Sequence, residues 1–207
     1  MTDPPNTTSS GYMTAEKNAE IAQRLRQGDR SAWEEVYDFY SRDLWRYVSR
    51  MLGEDQEIVA EVVQEVFLAA ARNAQSYDVN QGSLWAWLTG IAHHQTASWF
   101  RSQTRNRRIL SEPIQQRLQT NQENNSPASN PVVLLEKSEL RVSVRSTLAE
   151  LSAEYAMLLS AKYMDHLRVE EIQNQFGGTA DSIRSKLKRA RAEFRELFER
   201  LNAGGLD

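Results

Sequence analysis

From Ile21 to Leu52 the apolar residues Ile21, Leu25, Trp33, Val36, Tyr37, Tyr40, Leu44, Tyr47, Val48 and Leu52 recur mostly at intervals of three and four. That interval stacks side chains on one face of an α-helix. No stretch of the chain alternates apolar and polar residues as a half-buried strand does. The period therefore predicts an all-α protein, and turn residues divide it into elements. Gly28-Asp29 ends a first short helix, Asp29 or Ser31 is placed to cap the next, and this pair ends near Gly53. Residues 55–74 form a further helix. The heptapeptide YDVNQGS at 77–83 has loop chemistry, and Ser83 is placed to cap a helix from Leu84 to about Arg101. On that helix Leu84, Trp87, Leu88, Ile91, Gln95, Ser98 and Trp99 share a broad, partly apolar face.

The segment 111–130 is polar, amide-rich and interrupted by prolines, which reads as a linker. Beyond it a helix is predicted over Val132 to Leu151, and another capped by Ser152 runs to about His166. VEEIQNQF (169–176) is a short helix closed by Gly177-Gly178, and Thr179 starts a long final one. The expectation is two small helical domains joined by a flexible linker, the C-terminal one a helix-turn-helix. Their bounds are a disordered tail at 1–17, a helical domain at 18–106, the linker at 107–137 and the helix-turn-helix at 138–203.

A chain of 207 residues is long enough for either one medium domain or two small ones. It contains no apolar run near the roughly 18 residues of a membrane helix, and MTDPPNTTSSGYMTAEK lacks the apolar core of a signal peptide. A cytoplasmic chain with no membrane insertion is expected. The absence of cysteine rules out disulfides and thiolate metal sites. His93 and His94 are adjacent, so on a helix they point about 100° apart. No metal centre and no cofactor are expected.

The net charge of −3 gives no whole-chain attraction to nucleic acid, but the charge is unevenly placed. RSQTRNRR (101–108) carries four arginines and no acid. Residues 179–200 carry Arg184, Lys186, Lys188, Arg189, Arg191, Arg195 and Arg200 against Asp181, Glu193, Glu196 and Glu199. On this last helix Ile183, Leu187, Ala190, Phe194, Leu197 and Leu201 form an apolar stripe. Arg184, Lys188, Arg191 and Arg195 stand roughly opposite. A cationic terminal helix can simply be solvated, or complement its own dipole. Here the cations begin in the first turns, where the dipole favours acids, and follow a glycine turn and a short helix. That combination favours DNA. Thr179, Ala180, Asp181, Ser182, Arg184, Ser185 and Lys188 are placed to reach base edges, and Arg191 to meet phosphate.

In the helix EIVAEVVQEVFLAAARN (57–73), Glu57, Glu61, Gln64 and Glu65 share a strip between apolar flanks. Taken alone, that strip is a solvated face. Its neighbours change the reading. EIVAEVVQEVFLAA, then Tyr77-Asp78 and a polar loop, then GSLWAWLTGIAHHQ with an Arg-rich end, resembles the conserved domain of bacterial sigma factors, most of all the extracytoplasmic-function group. LSAEYAMLLSAKYMDHLRVEEIQNQFGGTADSIRSKLKRARAEF resembles the minus-thirty-five reader of the same family. The two motifs, in the family's order, span about residues 19–105 and 138–200.

The resemblance implies a non-enzymatic subunit that binds core RNA polymerase, directs it to promoter DNA and assists strand opening. It implies polymerase docking through Glu57, Glu61, Gln64 and Glu65, with Phe67 either an apolar anchor at the edge or plain core. It implies minus-ten recognition through Tyr77, Asp78, Asn80, Gln81, Ser83 and Trp85, with Arg101 and Arg105 holding phosphates. Ordinary turn and core roles compete for several of these residues. Trp87 and Leu88 read as structural. Family members are often held inactive by an anti-sigma protein, which is therefore a candidate partner. The family often has Asn and Asp where this chain has His94 and Ser98, so contacts made there in relatives do not transfer. Two other readings compete: a regulator that binds duplex DNA without polymerase, and a hydrolase using Glu61, Glu65 and the histidines. The second of these has no supporting motif.

Overall fold

The computed structural model of the chain describes residues 13–53, 55–110 and 131–203. Among the described residues there is no strand, in keeping with the three-to-four period. The helices are α1 (Ala15–Arg26), α2 (Arg30–Leu52), α3 (Gln56–Arg72), α4 (Leu84–Leu110), α5 (Pro131–Glu150), α6 (Ala153–Leu159), α7 (Val169–Phe176) and α8 (Ala180–Ala203). Most of the expected tail, and the polar segment 111–130, lie outside the described residues.

Short polar side chains set the helix starts by taking up backbone N–H groups that the first turn leaves unbonded. Thr14 accepts from Lys17 N, Asp29 from Ser31 N, Asp55 from Glu57 N and Ile58 N, and Ser152 from Tyr155 N. Gly177 and Gly178 end α7 with φ of 78° and 87°, a left-handed pair that a side chain would strain. Asp29 also joins a surface network that clasps α1 to α2. Arg24 donates to Asp29 at 2.8 Å and to Glu35 at 2.9 Å, and Lys17 pairs with Glu35 at 2.8 Å. Bonded by Arg24 and Ser31, the Asp29 carboxyl is pulled down to about 2.

The first core forms where α2, α3 and α4 meet. Val36, Tyr40, Leu44, Val48 and Met51 of α2 are fully buried, facing Val59, Val66 and Ala70 of α3 and Leu84, Leu88 and Ala92 of α4. Buried Asn18 ties in α1: its amide donates to the carbonyls of Met13 and Thr14 and its oxygen accepts from Leu84 N. Leu148, Leu151, Ala156, Leu159, Ile172, Ile183, Leu187 and Ala190 continue the same cluster through α5–α8, of which α5, α6 and α7 pack on α4 and α8 packs on those three.

Four expectations shift. The helix expected to stop near Arg101 continues to Leu110, because RSQTRNRRIL contains neither Gly nor Pro to break it. The buried face of α4 is Leu84, Trp85, Leu88, Thr89, Ala92, His93, Thr96 and Ala97, while Ser98 is exposed. Burial on two sides explains the difference, since polar Thr89 and Thr96 satisfy themselves on the carbonyls of Trp85 and His93. The helix expected from Ser152 to His166 is α6 followed by a π-turn at Ser160–Met164, closed by Asp165 N on Ser160 O and by His166 at φ 56°. On α8 the apolar stripe is buried at Ile183, Leu187 and Ala190, half-buried at Phe194 and Leu197, and exposed at Leu201.

Candidate functional site

The polar strip of α3 is a property of its valines. Val59, Val62, Val63 and Val66 turn into the bundle, which leaves Glu57, Glu61, Gln64 and Glu65 together on the solvent side. Phe67 stands at the border, half-buried, with its ring 5.0 Å from that of Tyr37 on α2. Tyr37 itself is 54% exposed, and Leu68 beside Phe67 is exposed as well. Carboxylates thus border an aromatic and aliphatic patch, a combination complementary to a surface that carries both cations and apolar groups. Sequence reasoning placed Tyr37 in the core stripe. Its side chain leaves the helix about 100° around from that of fully buried Val36, which carries it off the core stripe to the border with solvent.

The loop after α3 is folded on itself. The Tyr77 ring is buried, packs 5.3 Å from Trp87, and its hydroxyl donates to Gly82 O. Burial pushes the phenol well above its ordinary value. Asp78 accepts from Asn80 N at 3.0 Å, Asn80 Nδ2 at 2.9 Å and Gln81 Nε2 at 3.2 Å. These bonds, led by the backbone N–H of Asn80, hold its carboxyl below the usual range. Ser83 accepts from Ala86 N at 3.1 Å, as a cap does, and donates to the carbonyl of Gln175 on α7.

Trp85 is 6% exposed, stacked on Tyr40 at 5.7 Å and edge-on to Tyr47 at 6.5 Å. In this arrangement neither Tyr77 nor Trp85 offers a ring to a base; Asn80 and Gln81 are the exposed groups of the loop. Trp87, read from the sequence as structural, is only half-buried and lines a cleft of about 440 Å³ facing the loop. Its far wall includes Met157, Phe176, Ile183 and Lys186, the last paired with Glu154. Arg101 and Arg105 are exposed further along α4. His93 is buried and His94 exposed, and among the described residues no group of three or more His, Asp or Glu is placed to hold a metal ion.

On α8, Thr179 caps the helix by accepting from Ser182 N at 3.2 Å. Asp181, Arg184, Ser185, Lys188 and Arg191 are exposed, and Ala180 and Ser182 are half-buried at the first turn. Arg184 donates to Asp181 at 2.8 Å and Arg191 to the Tyr163 hydroxyl at 3.2 Å, so two of the cations are already oriented. An apolar groove of about 470 Å³, unforeseen in the sequence, lies between α5, α6 and α8, with Leu148, Leu159 and Phe194 in its wall and Arg195 at its rim.

Residues 36–106, from α2 through the acidic face and loop into α4, match the family model Sigma-70 region 2. Over 180 residues the chain is 25% identical to the ECF RNA polymerase sigma factor SigK of Mycobacterium tuberculosis (strain ATCC 25618 / H37Rv), covering 86% of this chain and 92% of that protein. It is 23% identical over 180 residues to the ECF RNA polymerase sigma factor SigW of Bacillus subtilis (strain 168), covering 86% and 95%. A solved structure of CnrH in complex with the cytosolic domain of CnrY aligns over 88% of this chain and 97% of that one, at 16% identity and a TM-score of 0.46. The region-2 match takes in both the acidic helix and the loop, and the relatives run along most of the chain, so this chain is similar over most of its length to the extracytoplasmic-function group of RNA polymerase sigma factors.

Proposed function

We propose that this sigma factor binds core RNA polymerase through the acidic face of α3, directs it to particular promoters and assists strand opening there. The observation that carries the docking step is the segregation on α3, where four polar residues are exposed and the valines between them are buried. Carboxylates held on a rigid helix meet a basic partner without an ordering cost, and Phe67 with Tyr37 adds apolar area at the edge.

Residues 18–106 and 138–203 are the two working units in this reading, with 107–137 spanning between them. Asp78, Asn80, Gln81 and Ser83 supply the polar edges that hold an extruded minus-ten base, and Arg101 and Arg105 hold backbone phosphates. Arg184, Ser185 and Lys188, with Thr179 to Ser182 at the helix start, read the upstream element as a helix-turn-helix does. Arg191 meets phosphate. Polymerase supplies the chemistry and this chain supplies placement. The work is done in the cytoplasm; among the described residues no helix is long and apolar enough to cross a membrane. An anti-sigma protein is the candidate regulator. A duplex-binding regulator that works without polymerase leaves the acidic face of α3 without a purpose.

Core polymerase plus this chain, presented with a genome-wide promoter library, is expected to initiate at defined start sites without another sigma factor. No initiation anywhere in the library would overturn the reading.

A further inference from the structure

We propose that α1 belongs to the minus-ten site, with Arg26 at its end holding the backbone phosphate next to the base that the loop captures. The inference rests on the promoter reading above and deepens it; α1 lies outside residues 36–106, the part of the chain that matches region 2. Asn18, Ile21, Ala22 and Leu25 form the buried face of α1. Arg26 follows Ala22 by one turn, about 40° around the helix, so it leaves from the edge of that face. The Asn18 oxygen accepts from Leu84 N, where the loop ends. At the start of the loop Arg26 Nη1 donates to Tyr77 O at 3.4 Å. Tied to both ends, α1 carries Arg26 on the same rigid base as the loop.

Arg24 and Arg26 share the last turn of α1 and are used differently. Arg24 is spent on Asp29, Glu35 and Glu20. Arg26 is exposed, and among the described residues no carboxylate pairs with it. Its single bond to Tyr77 O leaves most of its N–H groups for a ligand. A cation in a last turn also complements its own helix dipole. That role needs no particular direction around the helix, whereas Arg26 is turned to the loop. There its charge adds to the bonds, led by the Asn80 N–H, that hold the Asp78 carboxyl down.

The loop has use for such a cation. Residues 77–83 carry one formal charge, the Asp78 carboxylate, which repels the phosphates of any strand laid against it. Arg101 does not offset this, since it lies about 25 Å along the rise of α4 from Leu84, and Arg105 is further still. Lys186, across the cleft, is paired with Glu154. Arg26 contacts the loop itself. A guanidinium on a phosphate holds the strand while Asn80 and Gln81 meet the edge of the base, and it carries no sequence information of its own.

Core polymerase carrying the full-length chain should be titrated, over a series of salt concentrations, with a single-stranded oligonucleotide of the nontemplate minus-ten sequence of a promoter it initiates from, and with a scrambled one. Arg26→Ala is expected to weaken binding of both about tenfold at low salt and to flatten the slope of log affinity against log salt by about 0.7, the share of one phosphate on a single strand. Arg26→Lys should keep the slope, and the ratio of matched to scrambled affinity should stay that of wild type in both variants. Arg46→Ala, an equal change of charge at an exposed position of α2, should bind as wild type does. Wild-type affinity and slope in Arg26→Ala would overturn the proposal, as would an equal loss in Arg46→Ala. A fall in the matched-to-scrambled ratio with an unchanged slope would overturn it as well, making Arg26 a brace for Tyr77 alone. Equal binding of the two oligonucleotides by the wild type would break the promoter reading itself, and the assignment of Arg26 with it, whereas the other outcomes are differences between variants.

Discussion

The acidic strip of α3 and the loop that follows it are both polar, and they lie about twenty residues apart, yet their side chains are used in opposite ways. Glu57, Glu61, Gln64 and Glu65 are fixed by a rigid helix and face solvent. Asp78 spends its acceptors on Asn80 and Gln81, and Ser83 spends its hydroxyl on Ala86 and Gln175. A polar residue on a helix with a buried opposite face is available to a partner from the start. A polar residue in a tight loop first satisfies the backbone around it, and reaches a ligand only by exchanging those bonds.

The contrast is most exposed to test at Trp85. If its ring is core, Trp85→Ala should cost about 3–5 kcal/mol in urea denaturation while Trp85→Phe recovers most of that loss. A Trp85→Ala protein that keeps its stability yet no longer opens promoters would make the ring a base-stacking surface and move it into the loop's machinery. On the acidic face, Glu61→Lys with Glu65→Lys should weaken polymerase association by about 2–3 kcal/mol, on the order of a hundredfold, with circular dichroism unchanged. Unaltered retention of polymerase by that variant would erase the difference between the two regions.

A third region sharpens the comparison. Arg184 on α8 is exposed like the α3 carboxylates but already oriented by Asp181. Arg184→Ala should remove about 1–3 kcal/mol of preference between matched and scrambled upstream elements. Equal use of both elements by the wild type would contradict the assignment.

The smallest effect concerns His93, where α4 meets the turn after α5. Burial holds its pKa below the ordinary 6.5, although its bond to Leu151 O acts the other way; electrostatic repulsion from nearby His94 and Arg101 adds to the lowering. Its Nδ1 is buried without a hydrogen-bond partner among the described residues. As pH falls through about 6.5 the unfolded chain takes up a proton before the folded one does, so stability is lost from there downward. The urea midpoint should drop between pH 7.5 and 5.5, and His93→Gln should flatten that drop. An identical drop in His93→Gln would assign it to other groups.

Much of the fold was legible because local chemistry decides it. Asp29, Ser83, Ser152 and Thr179 cap where their hydrogen-bonding groups predict, and Gly177-Gly178 ends α7. The segregation on α3 also follows from the positions of its valines. What depends on a second surface was not legible. The buried face of α4 includes Thr89, His93 and Thr96 because α5 and α6 pack on it, and no periodicity along α4 reports a partner distant in sequence. The loop residues were readable as turn-formers or as base contacts, and only their bonding shows that turn chemistry is satisfied first. Tyr37 illustrates the reverse error, an aromatic at helical spacing that lies beside the core stripe and stands in solvent next to Phe67.

The central claim is that the exposed face of α3 brings polymerase and the loop after it then opens DNA. Permanganate mapping of unpaired thymines, on a promoter that supports initiation by this chain, tests it most directly. Reactive thymines should appear upstream of the start site only when core polymerase and the chain are both present, and should vanish with Glu61→Lys and Glu65→Lys. A duplex that stays closed while polymerase and the chain are both bound would contradict the account.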